Sequence, residues 1–357
     1  MRIHKIVSGL GVGGAEAFAV DLALALQARG HRLQITALSH AREMGDDSEV
    51  EARNRTRLAE AGVAVEIIGH RKRRRVWPAA RQLRRNLRGS ENPDLIHCHL
   101  KLGIALTLLA GWRGTVVATH HNTPLPRPAW PLRLLSHRTG AYVAISSEAK
   151  RNLTAVAACP VHHIPNGIDL ERLGDISRKP AEEGTLRVVS LGNLRPQKNY
   201  THLVEIAAGT QPGIHFSIAG EGAERATIEA RIAELGLQDR VRLLGARADV
   251  SALLQNADAY LLTSKWEGMP IALIEAMQAG LPIISSDVGG CREILGEETG
   301  FLCPSDDTEA FTTALNRLAG DTHLRARMGR AARARAKDFG IDPCAEAHEA
   351  LYAEVLG

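Results

Sequence analysis

The stretch Thr263–Glu293, TSKWEGMPIALIEAMQAGLPIISSDVGGCRE, constrains this chain more than any other. An apolar run over 258–263 leads into it and reads as a buried strand. A polar turn with Glu267 and Gly268 comes next, then Pro270, which suits the first position of a helix because its missing N–H would have no intrahelical partner there. The helix is expected over about 270–278 and should stop at Gly280, a residue that takes a left-handed cap without strain; 282–286 is then a second apolar strand. This strand–turn–helix–strand unit carries two glutamates eight residues apart, Glu267 in the turn and Glu275 two turns into the helix. The helix N-terminus beside the turn offers N–H groups and a positive dipole end to an anion.

Strands and helices alternate in the same way along the rest of the chain. Strands are expected over 3–8, 32–38, 63–68, 94–99, 116–119 and 141–146, with a helix over 15–29 ended by Gly30. Residues 41–62 read as an exposed polar connection, and Pro124–Pro131, with Trp130, as a proline-rich loop. Residues 171–184, polar and containing Pro180 and Gly184, read as a linker, after which the rhythm restarts at 186–191. A chain of 357 residues exceeds what one core usually serves. Two parallel α/β domains, 1–170 and 184–340, facing across a cleft, are the expectation.

The N-terminal turn Gly9-Leu-Gly-Val-Gly-Gly14 satisfies GxGxxG. A NAD site also needs an acidic residue at the end of the second strand to hold the ribose, but that strand ends Ala37-Leu38-Ser39-His40 with no carboxylate before Glu43. An NAD(P)-dependent oxidoreductase would have to use Arg42 with a 2′-phosphate, and a tight turn with no ligand is a further alternative. The favoured reading is that Gly13 and Gly14 let a ligand approach the backbone, with Glu16 in the first helical turn.

Hydrophobic residues at 45% and charged ones at 24% are ordinary for a globular chain, and the net charge of +4 is small. Five scattered cysteines, never spaced CxxC, argue against a disulfide framework or zinc knuckle and for a reducing cytoplasm. The N-terminal apolar run is too short for a signal peptide and 102–112 is too short for a membrane span. A dense basic segment runs from Arg71 to Arg88. It is either a solvated face or a contact for an anionic surface, membrane headgroups or a phosphate-bearing acceptor. Nucleic acid is disfavoured because Trp77 is the one aromatic residue within it. His97, His99, His120 and His121 lie at the ends of two expected strands. A metal site would recruit carboxylates that are not nearby in sequence, so a histidine facing the ligand cleft is the stronger idea.

These pieces occur in a recognisable order: GGAE (Gly13–Glu16), DLIHCH (Asp94–His99), ATHHN (Ala118–Asn122), IPNGID (Ile164–Asp169), GNLRPQKN (Gly192–Asn199), AGEG (Ala219–Gly222), EGMPIALIEAMQAGLP (Glu267–Pro282), GG-x-x-E (Gly289–Glu293) and TGFL (Thr299–Leu302). Together they make the chain resemble the retaining glycosyltransferases of family 4, nearly end to end. The resemblance implies the GT-B fold, two Rossmann-like domains, with the first binding the acceptor and 343–357 docking back on it. It also implies transfer of a sugar from a nucleoside diphosphate, UDP above others, to an acceptor hydroxyl of a saccharide or lipid-linked molecule, as in cell-surface polysaccharide, lipopolysaccharide or glycolipid assembly. A non-catalytic nucleotide-sugar binder on the same fold is the rival reading.

By the same resemblance Glu275 accepts hydrogen bonds from the ribose hydroxyls, and Glu267 lies near the transferred sugar. Gly268, Met269 and Ile271 bring backbone N–H groups to the diphosphate, and Lys198 is the phosphate-binding lysine. The partner arginine's usual place holds Asn193, so Arg195 is the candidate for that charge. Gly14 packs against phosphate or sugar, His121 is the catalytic-region histidine (a packed core histidine being the plain alternative), and Gly245–Arg247 border the nucleotide base. No D-x-D triplet occurs, so transfer without a metal is expected. A cytoplasmic enzyme, peripheral on the membrane's inner face, is the corresponding location.

Overall fold

The computed structural model describes residues 1–11, 13–44, 48–69, 75–89, 92–125, 128–174, 176 and 184–357. The chain divides into two units: Met1–Ile168 together with Ile341–Gly357, and Asp169–Gly340. The first holds strands β1 (Arg2–Val7), β2 (Arg32–Ala37), β3 (Ala64–Ile67), β4 (Leu95–Cys98), β5 (Thr115–His120), β6 (Ala141–Ala144) and β7 (Val161–His163). They form one sheet in the order β3-β2-β1-β4-β5-β6-β7, with every pair parallel. The second unit holds β8 (Leu186–Leu191), β9 (Ile214–Ala219), β10 (Val241–Gly245), β11 (Ala259–Leu262), β12 (Ile283–Ser286) and β13 (Gly300–Cys303). Their order is β10-β9-β8-β11-β12-β13, again all parallel.

Strands such as β6 and β11 are buried at every residue, which is why they read as unbroken apolar runs rather than as alternations. Some helices cover the sheets through a single apolar stripe. Ala79, Ala80, Leu83 and Leu87 face the first core from helix Val76–Gly89, at the spacing of a single helical face. Phe311, Leu315 and Leu318 do the same for the second core from helix Thr308–Gly320. That helix, and the next at Thr322–Ala336, start on Asp307 and Asp321, whose carboxylates accept from Ala310 N and Leu324 N.

Four local expectations change. Residues 41–62 are not an open connection: they contain helices Ala41–Met44 and Ser48–Glu60. The second buries Val50, Glu51, Asn54 and Leu58, a polar-tinged helical stripe, and Glu51 accepts from the backbone N–H of Ala41. Trp130 opens a short helix, Trp130–Ser136, with Pro131 in its first turn, where proline's fixed φ is favourable. Pro270 is the N-cap of helix Ile271–Gln278, in extended backbone with ψ 110°, rather than its first helical residue. Of the expected linker 171–184, residues 171–173 belong to a 3-10 turn, Leu170–Leu173, of the second unit, and 177–183, including Pro180, lie outside the described residues.

The last helix, Ile341–Leu356, packs on helix Gly14–Ala28 of the first unit. Glu349 accepts from Arg29 Nε at 2.7 Å and lies 2.6 Å from His31 Nε2, while Tyr352 Oη is 2.7 Å from His97 Nδ1. No helix among the described residues is long and apolar enough to cross a membrane.

Candidate active site

Each sheet reverses its winding between two neighbouring parallel strands, β1/β4 in the first unit and β8/β11 in the second. Loops leaving the carboxyl ends of such a pair run in opposite directions and open a crevice, the usual ligand position in parallel α/β sheets. The loop after β8 contains Gly192–Lys198, and the loop after β11 contains Thr263–Gly268. The residues most strongly singled out in the sequence therefore meet at the second unit's switch point.

There Lys198 Nζ donates to Glu267 Oε1 at 2.7 Å, and Ser264 Oγ donates to the same oxygen at 2.7 Å. The two loops are stitched along their backbones: Lys265 N donates to Gln197 O at 2.8 Å, Thr263 Oγ1 to Lys198 O at 3.0 Å, and Gln197 Nε2 to Trp266 O at 2.9 Å. Asn199 completes the turn in the left-handed region at φ 54°, the one non-glycine residue with positive φ among those described. Burial opposes the charge on Lys198, but the Glu267 carboxylate and its neighbours outweigh that and hold the ammonium above its ordinary range. A largely buried, paired cation at a switch point is suited to meet an incoming diphosphate.

Helix Ile271–Gln278 begins beside this pair. Its N-cap, Pro270, has no side chain able to cap it, in contrast to Asp307 and Asp321. The Ile271 N–H, in the first turn, has no intrahelical acceptor, and Gly268 and Met269 precede the N-cap in the chain. The far end closes as a Schellman motif: Gly280 at φ 72°, Gly280 N to Met277 O at 2.8 Å, and Leu281 N to Ala276 O at 3.1 Å. The GG-x-x-E segment buttresses the turn, since Gly290 N donates to Gly268 O at 2.9 Å. A Cβ on Gly290 would lie 2.3 Å from that oxygen, so only glycine lets the two backbones touch. Glu275 is buried on the helix and forms an ion pair with Arg172. Sequence reasoning missed Arg172 and Ser264; Arg172 had a signal, a charged residue shortly after IPNGID, but nothing local indicates its partner.

The remaining donor-side residues are more scattered. Arg195 is exposed at the start of the 3-10 turn Pro196–Lys198. Gly245 ends β10 at φ 75° beside a register shift, and its carbonyl accepts from Gly220 N at 2.8 Å. Arg247 is exposed and engaged with Asp249 at 2.6 Å, so in this state its charge is already spoken for.

In the first unit Gly14 opens helix Gly14–Ala28 with Gly13 as N-cap. Ser8 Oγ donates to the Glu16 carboxylate, which folds back so that a Cβ on Gly13 would lie 2.1 Å from Glu16 Oε2. A carboxylate therefore stands at the helix N-terminus where a dinucleotide pyrophosphate would bind, which weighs against the oxidoreductase reading. His121 lies just after β5. Its Nε2 is 3.1 Å from His99 Nδ1, the two rings stack at 16°, and Phe18 meets both edge-on. His97 lies beneath, 2.7 Å from Thr119 Oγ1. Burial lowers the His121 pKa to about 3, so the ring is neutral, and its buried Nδ1 has no hydrogen-bond partner among the described residues. His121 is thus both a packed histidine and one with an unused nitrogen. Among the described residues no group of three or more His, Cys, Asp or Glu side chains is arranged to hold a metal.

Two family models tile the chain: Glycosyltransferase Family 4 over residues 12–172 and Glycosyl transferases group 1 over residues 174–335. A UDP-Gal:alpha-D-GlcNAc-diphosphoundecaprenol alpha-1,3-galactosyltransferase from Escherichia coli is 34% identical over 45% of this chain and 46% of its own length, so the match spans about half of that relative. The N-acetyl-alpha-D-glucosaminyl L-malate synthase of Bacillus anthracis is 28% identical over 74% of this chain and 76% of its own. Among solved structures, Anabaena HepE in complex with UDP-glucose superimposes with a TM-score of 0.81 at 21% identity, covering 100% of this chain and 99% of that one. Sucrose-phosphate synthase from Thermosynechococcus elongatus gives 0.81 at 20% identity over 99% of each. Two parallel-sheet units built on the GT-B plan, and family models that together account for residues 12–172 and 174–335, place the chain in the glycosyl transferases group 1 family.

Proposed function

We propose that this glycosyltransferase takes a sugar from a nucleoside diphosphate, UDP before other bases, and moves it with retention to a hydroxyl of a saccharide or lipid-linked acceptor in cell-surface polysaccharide or glycolipid assembly. The observation that carries the donor side is the Lys198–Glu267 pair beside the uncapped N-terminus of helix Ile271–Gln278. A diphosphate entering there meets a largely buried ammonium, backbone N–H groups and a helix dipole, all favouring negative charge. The UDP-sugar named for the E. coli relative and the UDP-glucose bound by HepE support the choice of base.

In the reaction the bond from the anomeric carbon to the phosphate oxygen breaks and its electron pair leaves with the nucleoside diphosphate. The acceptor oxygen takes its place on that carbon and gives up its proton. Lys198 stabilises charge gathering on the leaving group, with Arg195 as a second cation, and such preorganised charge is commonly the largest catalytic contribution. Because a lysine fills that role and no D-x-D triplet is present, we assign the transfer a mechanism without a divalent ion. Glu267, released in part when phosphate engages Lys198, orients the sugar hydroxyls or faces positive charge at the anomeric carbon. Glu275 receives the ribose diol, and Gly245 and Arg247 border the base. In the first unit, assigned to the acceptor, Gly14 lets a ligand approach the backbone, and neutral His121 is the catalytic-region histidine.

A panel of nucleotide-sugars, with mass-spectrometric detection of released nucleotide and the reaction repeated in EDTA, tests this reading. Turnover of one UDP-sugar unaffected by EDTA is expected. Absence of turnover with every donor, or its loss in EDTA, would overturn the corresponding part.

A further inference from the structure

IPNGID ends at Asp169, and the turn immediately after it is fastened to the second unit. Asp169 Oδ1 caps the 3-10 turn Leu170–Leu173 by accepting from Glu171 N at 3.1 Å. Leu170 O accepts from Gln278 Nε2 at 3.4 Å, and Leu173 O accepts from Ser251 Oγ. From this turn the Arg172 guanidinium donates to Glu275 Oε1. A segment 103 residues away in sequence therefore reaches the carboxylate that the proposed function assigns to the ribose.

Glu275 sits on a helix among the buried apolar residues Leu273, Ile274, Ala276 and Met277. An ionised carboxylate in such a place is costly unless a counter-charge stays beside it. Left alone, it would take up a proton or turn toward solvent, and both weaken it as an acceptor for two hydroxyls. A carboxylate offers about four acceptor positions, so an arginine on Oε1 does not by itself bar a diol. The guanidinium's planar fork also fixes the plane of the carboxylate, which a flexible ammonium does not.

We propose that Arg172 is a positioning residue of the ribose subsite, holding Glu275 charged and oriented to receive a nucleotide's 2′- and 3′-hydroxyls. The proposal rests on the assignment of Glu275 to the ribose and adds to it a part for the turn after IPNGID. Donor recognition then depends on a turn outside the stretch that carries both glutamates.

The test is calorimetry on the full-length protein with UDP, GDP and ADP, each paired with its 2′-deoxy counterpart, for wild type, Arg172→Met, Arg172→Lys and Glu275→Ala. Loss of one hydrogen bond to a charged acceptor corresponds to about a tenfold or greater preference for the ribonucleotide in wild type. Arg172→Met should shrink that preference to about threefold or less while leaving the deoxynucleotide affinity nearly unchanged, and Arg172→Lys should restore part of it. A merely structural role would weaken both nucleotides alike. Full ribose preference in both Arg172 variants, with preference lost in Glu275→Ala, would overturn the inference alone. Full preference in Glu275→Ala as well would overturn the ribose assignment beneath it. Should Arg172→Met fail to fold by thermal melting, Arg172→Lys carries the same comparison, with an undiminished wild-type ratio counting against the inference.

Discussion

Lys198 Nζ and Glu267 Oε1 lie 2.7 Å apart although 69 residues separate them, and both side chains are largely buried. Removing one member deprives the other of its opposite charge, so Lys198→Ala and Glu267→Ala should each destabilise the second unit by about 3–5 kcal/mol. Their functional effects should differ. Lys198→Ala is expected to weaken UDP binding about 10- to 100-fold by calorimetry. Glu267→Gln, nearly isosteric, should leave UDP affinity within a few-fold while lowering turnover about 100-fold or more. Equal UDP affinity in wild type and Lys198→Ala would remove the lysine from the donor site.

Gly290 and Gly268 test the backbone contact that supports the turn. Gly290→Ala places a methyl group against a carbonyl that cannot yield without moving the turn, for an expected loss of about 1–3 kcal/mol and weaker UDP binding. Gly296→Ala, with nothing within 4 Å of the added carbon, is the control and should be silent in both thermal melting and calorimetry.

The histidine cluster gives the first unit an acid-sensitive core. Burial depresses His97 and His99 well below the ordinary range, His348 to about 4 and His121 to about 3. Each is neutral when folded and binds a proton near pH 6.5 when unfolded, so the unfolded state holds more protons in between. The stability of the neutral cluster is full above about pH 6.5 and is lost as pH falls toward 4, on the order of 3 kcal/mol for His348 alone at pH 4. Lys5, lowered by burial to about 7, acts in the same direction at higher pH, its penalty easing as pH rises from 7 toward its unfolded value. Thermal melts from pH 4.5 to 8 should show this slope, and His348→Phe should flatten its acid side. A flat profile in wild type would contradict the buried, neutral assignment.

Helix Val76–Gly89 turns Arg81, Arg84, Arg85 and Arg88 outward, and Trp77 is 72% exposed at its start. Arg71, the other end of the expected basic segment, lies outside the described residues. At about 1 kcal/mol per arginine near an anionic surface, these four suffice for reversible attachment. Flotation with vesicles containing anionic phospholipid should retain the protein at low salt and release it at high salt. Reversing all four to glutamate should abolish retention, and wild type that never floats would leave the helix a solvated face.

The alternation of strands and helices was legible in the sequence because each element advertises itself locally, through an apolar run, a capping aspartate or a glycine at a C-terminus. Glu267, Glu275 and Lys198 were legible too, through their motifs. The helix at Ser48–Glu60 was not, because two of its four buried residues are Glu51 and Asn54, and composition alone hides such a stripe. Nor could chain order indicate partners. β9 and β10 intervene between β8 and β11 in sequence, yet β8 and β11 are neighbours in the sheet, and only that places Lys198 on Glu267. The pairing of Arg172 with Glu275, and of Tyr352 with His97 across 255 residues, arises in the same way. Local periodicity encodes elements because it acts within a turn of helix or a few strand residues. Which charges meet depends on how the sheet is wound, and the folded chain alone fixes that.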